Sequence, residues 1–559
     1  ESGDMVVLSR GDLAGAMRAS MAVPGVFPPV ERATRVLVDG GMARNLPVDV
    51  ARGVCGDVVI AVDVGSPLLT RQQTQDALSI SDQAVRALMQ RNVDEQVRQL
   101  GKRDILVRPD LGNMSPAGFA DGTAAIAAGE AAAQAALPAL LGYQLDVAAY
   151  AEWRAALAKR VRKNAPIAAV EVEATRYVNP AVVKEALDIK PGAPLPLERL
   201  HAELGRLYAS GDFEQIDYRV LPGPQGDTLE VRPREKPWGP GYLDFGLGLR
   251  TDFNDDAAFE LGAQYRRSWL NRLGGEFKAR AFIGSTRGLQ TAFHQPLTLG
   301  GSAFVAANAG LVSEPFELYY AGSRLAQYRR AERQIGLDIG SGWGQWGEAR
   351  IGLVSGKVNF SRSTGDPTLR QGATHVGGLK ATLVYDQLDD ALYPREGGYA
   401  KFDYFQSLTG LGATAAYTRS TLDLKQALRH GSWSTLLALK LDHTHDAPDY
   451  AQPASGGLFQ LSGFQPGELR AASIAQASIR ISQDLAKLSP LFGRAGFWGM
   501  ALEGGKLWRP LDPSLDPSRW LHSETLFIGS DTRLGPAYFA IAYGSSNKVR
   551  TYLMVNGQF

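Results

Sequence analysis

Cysteine, net charge and long apolar runs are all scarce in this sequence, and each absence excludes a class of protein. The 559 residues contain one cysteine, Cys55, which rules out an intramolecular disulfide framework and a cysteine-based zinc site. A formal net charge of +1 provides no basic surface of the kind that a nucleic-acid-binding protein requires. No run of about 18 apolar residues is present, so no transmembrane helix is predicted.

The opening residues also lack the basic and apolar segments of a signal peptide. A strand-like stretch, Met5–Leu8, follows almost at once, so the sequence is expected to begin inside a domain. At 559 residues the chain is long enough for several domains. Glycine, with 62 residues, is abundant and is concentrated in the second half.

Residues 1–141 alternate short apolar runs with helical patterns, which predicts a partial α/β domain. The run Val58–Val64 is continuously apolar, as in a parallel strand that is buried on both faces. The predicted strands are Met5–Leu8, Val36–Val38 and Val58–Val64, and the predicted helices are Asp12–Ser20, Pro47–Arg52, Ile80–Leu100 and Thr123–Leu140.

One acidic residue in this region is notable for its position. Asp39 follows the apolar run Val36–Val38 and precedes two glycines, Gly40 and Gly41. This pattern is typical of a strand that ends in a tight turn, because glycine tolerates positive φ and the close approach of other groups. Enzymes of the α/β class commonly place catalytic residues at such strand ends. A turn-initiating aspartate without chemistry is the alternative that the tripeptide alone leaves open.

Several sequence blocks in a fixed order give this region a family resemblance. They are Gly11–Leu13, Met17–Ser20, Val23–Val30, Leu37–Gly41 and Asn45–Pro47. Together they resemble the second half of a patatin-like phospholipase domain, which implies an α/β hydrolase that uses a serine–aspartate dyad. On this resemblance Asp39 is the general base of the dyad, and Gly40 and Gly41 complete its motif.

The nucleophile of that family is missing from this sequence. The family carries it in a Gly-x-Ser-x-Gly elbow between a strand and a helix. That motif occurs nowhere in the chain, and neither Ser9 nor Ser20 has both flanking glycines. We therefore expect that the N-terminal half of the domain lies outside this sequence, and that the chain by itself is catalytically inactive.

Residues 142–164 have the composition of a charged helical linker that ends in the basic run Lys159–Lys163. A solvated helix face is the favoured interpretation of the basic run, and contact with lipid headgroups is the alternative.

Residues 165–236 change to a small α+β pattern. Leu207 and Tyr208 precede Gly211–Phe213, and with the order of elements this resembles a POTRA module. The resemblance implies a periplasmic position before an outer-membrane barrel and a docking or chaperoning role, and a generic small α+β domain is the alternative. The predicted order is strand, helix, helix, strand, strand, at Ile167–Ala174, Asn179–Leu187, Leu197–Tyr208, Gln215–Leu221 and Thr228–Arg234.

Residues 237–559 show a hydrophobic period of two. Leu243, Phe245, Leu247 and Leu249, for example, are separated by single small or polar residues. This is the pattern of strands with lipid outside and a polar lumen inside. At about 20 residues for a strand and its connection, the segment allows roughly 16 strands. An open edge in lipid would leave backbone groups unpaired, so the sequence predicts a closed, antiparallel transmembrane β-barrel.

Aromatic residues support the barrel over a soluble β-sandwich, which also alternates. Trp343, Trp346, Trp498 and Trp508 are expected in the aromatic girdles at the two membrane surfaces. The terminal Phe559 resembles the closing signal of outer-membrane proteins.

Two further segments, Val384–Tyr399 and Gly535–Ile541, resemble the 16-stranded Omp85 barrels. Those barrels fold a long loop into the lumen, with an apolar–Arg–Gly–aromatic tip. The matching stretch is Gln460–Phe464, within Asp446–Leu469, and Ser462 stands at the position of the arginine. The loop is therefore expected to fill the pore but to lack the usual charged clamp on the lumen wall.

Two histidines, His443 and His445, share a strand face near acidic residues. A metal site is one interpretation, but the end of a strand entering an outside loop is favoured. The sequence thus predicts no metal and no cofactor.

Three arginines, Arg329, Arg330 and Arg333, form another concentrated charge. A patch that faces lipopolysaccharide is one interpretation, and charges of the lumen or of a loop are the favoured one.

The resemblances together imply a lipid acyl hydrolase of the phospholipase A type. It would be delivered across the outer membrane of a Gram-negative bacterium by its own POTRA module and barrel, with the hydrolase domain displayed outside or secreted. The expected partners are a phospholipid or ester substrate, the lipid around the barrel, the barrel-assembly machinery and a second copy bound through the hydrolase domain. The alternatives are an outer-membrane transporter or insertase for a separate client protein and a passive pore.

Overall fold

The computed structural model divides the chain into two compact units, Glu1–Arg162 and Lys163–Phe559. Three features of the sequence lie outside the described residues: Gly25 and Val26 of the patatin-like blocks, the basic run beyond Arg160, and Phe559. The structure describes residues 3–24, 27–32, 34–72, 74, 77–112, 114, 122–160, 165–253, 257–365, 371–485, 496–532 and 534–556.

The first unit is built from short strands and helices. β1 and β2 form an antiparallel hairpin, and β3 and β4 form a parallel pair. The strands are β1 (Val30–Arg32), β2 (Arg35–Leu37), β3 (Ile60–Val62) and β4 (Ile105–Val107). The helices are α1 (Leu13–Ser20), α2 (Gly41–Arg44), α3 (Val48–Cys55), α4 (Ala77–Val97), α5 (Gly122–Ala135), α6 (Leu137–Leu140) and α7 (Val147–Arg160).

The predicted helices of this unit are present, except that Thr123–Leu140 is divided between α5 and α6. Local chemistry explains the starts of α1 and α3. The Asp12 carboxylate accepts hydrogen bonds from the N–H groups of Ala14 and Gly15, at 3.0 and 3.1 Å, and so caps α1. Pro47 precedes α3, where its missing N–H costs nothing. The helical linker is present as α7.

One strand prediction in this unit is wrong, and another is confirmed as a parallel strand but not in its length or burial. Residues Met5–Leu8 form no strand, because an apolar run becomes one only where a partner takes up its backbone N–H and C=O groups, and the described residues provide none. Val58–Val64 contains a shorter strand, β3, that is buried on one face only. Ile60 and Val62 are 50% and 48% exposed, whereas Ala61 is 4% exposed and packs with Val59 in the core cluster of this unit.

Among the residues that the structure describes, no single helix is long and apolar enough to cross a membrane. Gly122–Ala135 and Leu137–Tyr143 meet that length and composition only as a pair, which is bent by 62°.

The second unit begins with a small α+β module that has the predicted order of elements. It comprises β5 (Ile167–Val172), α8 (Pro180–Leu187), α9 (Leu197–Ala209), β6 (Phe213–Leu221) and β7 (Asp227–Glu235). The sheet order is β5–β7–β6, with β5 parallel to β7. Leu187 from α8 and Leu200 from α9 are fully buried against Leu229 of the central strand, which holds both helices on one face of the sheet.

The rest of the unit is a closed barrel of sixteen antiparallel strands, as predicted. β18 pairs with β20, and β24 pairs with β8 to close the ring, while the short β19 pairs with β20 outside it. The strands are β8 (Gly241–Thr251), β9 (Ala257–Arg267), β10 (Glu276–Gly284), β11 (Arg287–Pro296), β12 (Phe304–Tyr320), β13 (Ser323–Gly342), β14 (Gly347–Gly365), β15 (Gly372–Asp386), β16 (Gly397–Ser407), β17 (Tyr417–His430), β18 (Trp433–His445), β19 (Ala454–Ser455), β20 (Leu469–Asp484), β21 (Gly496–Pro510), β22 (Leu521–Thr532), β23 (Gly535–Gly544) and β24 (Arg550–Asn556).

The outer face of the barrel is apolar. Phe245, Ile335 and Ile351, on three different strands, are 71%, 63% and 62% exposed. A belt of exposed large apolar side chains around a closed barrel is the surface that lipid, and not water, stabilises.

Exposed tryptophans lie at both ends of the barrel, as predicted. Trp346 stacks on Trp343 at the end where β8 begins, with ring centroids 5.4 Å apart, and Trp498 lies near the start of β21. Trp508 lies near the other end of β21. Ten residues of strand span about 33 Å, or about 25 Å along the axis of a tilted barrel, which matches the apolar height of a membrane barrel.

The inner face carries paired charges. Asp338 is buried and lies 3.0 Å from Lys380 Nζ. Asp442 is also buried and accepts a hydrogen bond from Thr421 at 2.7 Å, with Lys440 Nζ at 3.5 Å. Opposite charges on neighbouring strands offset the cost of placing each one inside the barrel.

The module is fixed to the end of the barrel from which β8 starts, called here the module end. The Asp212 carboxylate accepts hydrogen bonds from Ser268 Oγ and from Trp269 Nε1, both at 2.9 Å. Asn179 Nδ2 donates to the carbonyl of Arg272 at 2.8 Å. The β9–β10 turn therefore anchors the module to the barrel.

We predict an acid-sensitive contribution of Asp104 to the stability of the first unit. The N–H groups of Val59 and Gly101 and the Arg52 guanidinium hold the pKa of this carboxyl at about 2. Because the folded-state pKa lies below the unfolded one, the contribution is full above about pH 4 and is lost as the pH falls through 2. Asp104→Asn should therefore lower the urea midpoint at pH 7, and the difference should vanish towards pH 2.

The measurement is ellipticity at 222 nm, since seven of the nine α-helices in the described part of the chain belong to the first unit. Asp57→Asn, at an exposed carboxylate of the same unit, is the control and should not change the midpoint. A difference for Asp104→Asn that persists unchanged to pH 2 contradicts the assignment.

Candidate functional site

Asp39 lies two residues after β2, in a tight turn that is tied to the end of α1. Its N–H donates to the carbonyl of Ala22 at 3.0 Å, and the N–H of Gly40 donates to the carbonyl of Ser20 at 3.1 Å. The turn leads directly into α2. The backbone of Asp39 is thus fixed by the neighbouring helix and not only by its own strand.

The side chain of Asp39 is held from one side. Its Oδ1 accepts a hydrogen bond from the N–H of Gly41 at 2.7 Å. A Cβ on Gly41 would lie 2.8 Å from that Oδ1 and 3.1 Å from Met89 Cε, so a side chain there would displace the carboxylate oxygen from its present position. Among the described residues, Oδ2 has no hydrogen-bond partner. The arrangement leaves one oxygen of a half-buried carboxylate available to accept a proton.

Helix α4 packs against this turn. Met89 touches Gly41, and Asn92 Nδ2 donates to the carbonyl of Ala43 in α2. One turn further along α4, Gln96 is fully buried and accepts the N–H of Asp49 at 3.0 Å. Three polar or flexible side chains on one helix face therefore position the segment that follows Asp39.

Neither nearby serine has the setting of a nucleophile. Ser20 is exposed at the last residue of α1, and Ser9 is exposed in an irregular segment. The Gly-x-Ser-x-Gly elbow that the patatin resemblance requires is absent from the sequence, so the described residues provide Asp39 with no partner on such an elbow.

The second candidate site is the barrel lumen, which is filled by the loop between β18 and β20. The tip of this loop, Gln460–Phe464, is called the loop tip. Leu461, Ser462 and Phe464 are 1%, 0% and 4% exposed, so the predicted insertion into the pore is confirmed. The ring of Phe459 packs edge-on against Phe527 and Tyr538, at 5.3 Å from each.

The loop tip and the residue before it adopt a backbone conformation that residues other than glycine rarely take. Phe459 and Leu461 have φ values of 62° and 66°, in the left-handed region that normally favours glycine. The N–H of Phe459 donates to Ser462 Oγ at 2.8 Å, inside the same turn. Contacts with the barrel wall must hold such a turn, since each residue of this kind costs on the order of 1–3 kcal/mol.

The wall supplies these contacts through a carboxylate on β21. Glu503 accepts hydrogen bonds from the N–H of Leu461 at 3.2 Å and from the N–H of Ser462 at 2.8 Å. Ser523 Oγ accepts the N–H of Gly463 at 3.0 Å. An arginine clamp is absent, as Ser462 predicts, but a charged wall group still holds the tip by its backbone.

The barrel wall also contributes an arginine that contacts the loop tip. Arg550, the first residue of β24, donates from Nε to the carbonyl of Gly463 at 3.0 Å. Its guanidinium also lies 3.5 Å from both Asp252 and Glu468, and all three side chains are buried. Tyr552 OH, two residues on, donates to the carbonyl of Ser462 at 2.7 Å.

Sequence reasoning missed Glu503 and Arg550. Both occupy inward positions of strands whose outward positions are largely apolar, and that parity was the available signal. Two cavities, of about 400 and 710 Å³, remain on the inner wall around the loop.

We predict that Arg550→Met loosens the loop and opens the pore. The change removes the buried guanidinium beside Asp252 and Glu468 together with a bond to the loop tip, a loss of about 3–5 kcal/mol for a buried pair. The full chain should be nearly silent in a planar lipid bilayer, and the variant should show ion-conducting openings.

Lys548→Met is the matched control, because Lys548 is exposed and contacts the carbonyl of Gly322 instead of the tip. Heat-dependent electrophoretic mobility checks that both barrels fold. A folded Arg550→Met barrel that stays silent, or a control that opens as often, would contradict this role.

Known families match the two units separately. Residues 5–52 match the Patatin-like phospholipase family, and residues 272–508 match the Omp85 superfamily domain. An uncharacterized NTE family protein of Mycobacterium bovis is 33% identical over 162 residues, which cover 25% of this chain and 27% of the relative. Patatin-like phospholipase domain-containing protein 7 of Mus musculus is 47% identical over 64 residues, 11% of this chain and 5% of that protein.

The chain thus spans about a quarter of the mycobacterial relative's length. Among solved structures, BamA from Haemophilus ducreyi lacking POTRA domains 1–3 superposes with a TM-score of 0.52 at 12% identity. The match covers 70% of this chain and 84% of that one, and at this identity it concerns the fold alone.

The Asp-Gly-Gly turn lies inside the first matched segment, and the filled sixteen-stranded barrel contains the second. The chain therefore has one segment that is similar to patatin-like phospholipases and a barrel that is similar to the Omp85 superfamily domain.

Proposed function

We propose that this chain belongs to a surface-displayed or secreted lipid acyl hydrolase that its own barrel delivers across the outer membrane. The observation that carries the proposal is the Asp39 carboxylate, fixed by Gly41 with one oxygen available, within the segment that matches patatin-like phospholipases. The substrate class is a phospholipid or another carboxylic ester.

In this proposal Asp39 is the general base of a serine–aspartate dyad. The serine is supplied by a Gly-x-Ser-x-Gly segment that this sequence does not contain. The serine oxygen adds to the ester carbonyl while its proton passes to Asp39 Oδ2, and the departing alcohol takes that proton up. Water then attacks the acyl-serine and gives its proton to the same carboxylate, which returns it to the serine as the fatty acid leaves. No metal or cofactor is needed.

The proposed domains follow the chain: residues 1–141 belong to the hydrolase, 142–164 to a linker, 165–236 to a POTRA module and 237–559 to the barrel. The βααββ order and the contacts of Asp212 at the module end support a POTRA module fixed beneath a barrel. The apolar belt and the tryptophans at both ends support a membrane position.

The proposed location is the outer membrane of a Gram-negative bacterium, with the module in the periplasm and the hydrolase outside. Insertion would require the barrel-assembly machinery. A homodimer through the hydrolase domain is part of the proposal, and no nucleic acid is involved.

A second candidate is an outer-membrane transporter or insertase for a separate client protein. It is favoured by the Omp85 match, which covers far more of the chain than the patatin match. The two functions differ in a simple readout. Deleting the gene removes a client from the cell surface if the protein is a transporter, and removes esterase activity if it is a hydrolase.

We predict that Asp39→Asn abolishes hydrolysis in the protein extended upstream of Glu1 to include the nucleophile segment. Loss of a general base typically lowers the rate by about 10²–10⁴-fold. The assay is fatty-acid release from phosphatidylglycerol vesicles and from a short-chain p-nitrophenyl ester. Residues 1–559 alone should release neither product above the buffer rate.

Asp63→Asn is the matched control. Asp63 is a second acid at a strand end of the same unit, but it already forms an ion pair with Arg108, 2.9 Å away. Its rate should stay within about threefold of the parent. An Asp39→Asn enzyme that keeps the parental rate rules out the dyad.

A further inference from the structure

A row of basic side chains crosses three neighbouring strands on the outer face of the barrel. Arg333 of β13 is directly opposite Lys357 of β14, which is directly opposite His375 of β15. All three are exposed. Together they are called the basic row.

The alternation of the strands places the basic row on the lipid side. Arg333 has the parity of Ile335 and Leu337, which are 63% and 58% exposed. Arg330 has the opposite parity and bonds to Glu314 and Glu332, both at 2.6 Å. The favoured interpretation of these arginines as lumen or loop charges therefore holds for Arg330 and is wrong for Arg329 and Arg333, which share the outward parity.

The basic row lacks acidic partners. No ion pair joins Arg333 or Lys357 to a carboxylate of the described residues. The outward positions of β11 and β15, and those of β12–β14 up to the level of Ser313, contain no Asp or Glu. Two further cations, Arg287 and Arg329, stand on the same face closer to the rim. Directly opposed like charges destabilise a sheet, so an anion from outside the chain would stabilise this arrangement.

The basic row lies at the level along the barrel axis where lipid headgroups are expected. From Gly347, at the module end of β14, to Lys357 the strand rises about 33 Å, which is about 25 Å along the axis at a typical tilt. The apolar band of such barrels is about 25 Å tall. The basic row therefore lies at the upper edge of the band, in the leaflet remote from the module.

A groove adjoins the basic row. It measures about 580 Å³, and Arg333, Lys357 and His375 are among its lining residues. Leu289 and Leu311 continue the same cross-strand row onto β11 and β12, and Ile335, Ala309 and Ser355 lie one step nearer the module end. An apolar groove that ends at cations complements a molecule with acyl chains and an anionic head.

We propose that this groove and the basic row bind a phosphate-bearing lipid with several acyl chains in the leaflet remote from the module. Arg333 and Lys357 donate to phosphate oxygens, His375 adds a third polar contact, and the groove takes an acyl chain. The proposal rests on the membrane placement of the barrel and is independent of the hydrolase reaction.

A second groove provides a matched comparison. It has the same volume, about 580 Å³, and lies on β18, β20 and β21, lined by Leu437, Ile479 and Leu502. A nearby outward cation, Lys506, is opposite Ala475 and packs over the rings of Trp508 and Trp520. Lys506 is as far from the start of β21 as Lys357 is from the start of β14.

The test uses the full chain in phosphatidylcholine nanodiscs and measures bound lipid by native mass spectrometry. The probes are bis-phosphorylated hexa-acyl lipid A, its dephosphorylated form and inorganic phosphate. The variants are the triple change R333Q/K357Q/H375Q and the control K506Q. Incorporation into nanodiscs and heat-dependent mobility report membrane placement and folding separately, so a failure of placement is distinguishable from a failure of lipid binding.

We expect one tightly bound phosphorylated lipid, with at least about tenfold weaker binding of the dephosphorylated form. The triple variant should lose at least about tenfold in affinity, while K506Q stays within about twofold. The proposal is overturned if the triple variant binds as well as the parent, if K506Q loses as much, or if millimolar inorganic phosphate displaces the lipid completely.

Discussion

Arg550 is the point where the first barrel strand, the last strand and the lumen loop meet. Its guanidinium lies between Asp252, directly after β8, and Glu468, at the end of the loop, while its Nε binds the loop tip. A buried cation is tolerated only where its partners surround it. Closing the barrel and filling it are therefore coupled, because neither event alone supplies both carboxylates.

The barrel was predictable because its constraint is local. Lipid outside and water inside impose a period of two on every strand, and the run from Leu243 to Leu249 already shows it. Strand count follows from length, and closure follows from the need to pair every backbone group. No comparable constraint determines which residues of the first unit form strands or are buried. Whether Ile60 is buried depends on which elements cover β3, and whether Met5–Leu8 is a strand depends on a partner elsewhere.

The candidate sites also contain some features that the sequence predicts and others that it does not. The Asp39 turn was predictable because its determinants, Gly40 and Gly41, are adjacent in sequence, and Gly41 does hold the carboxylate. The contacts of this turn with Met89 and Asn92 were not predictable, because no residue near Asp39 in the sequence identifies the helix that packs against it. Glu503 meets Ser462 across 41 residues, and Arg550 meets Gly463 across 87. Serine at the tip is tolerated because the wall binds the backbone of the loop tip, which every residue possesses.

The role of a charged residue in this barrel depends on whether its side chain faces the lumen or the outside. Arg330 and Arg333 are three residues apart in one strand, so the period of two places them on opposite sides of the wall. Arg330 meets Glu314 and Glu332 in the lumen, and these partners satisfy it within the chain. Arg333 meets Lys357 on a stretch of the outer face whose described outward positions carry no carboxylate, so its counter-charge is expected from the surroundings. The same residue type thus serves folding on one face and points to a ligand on the other.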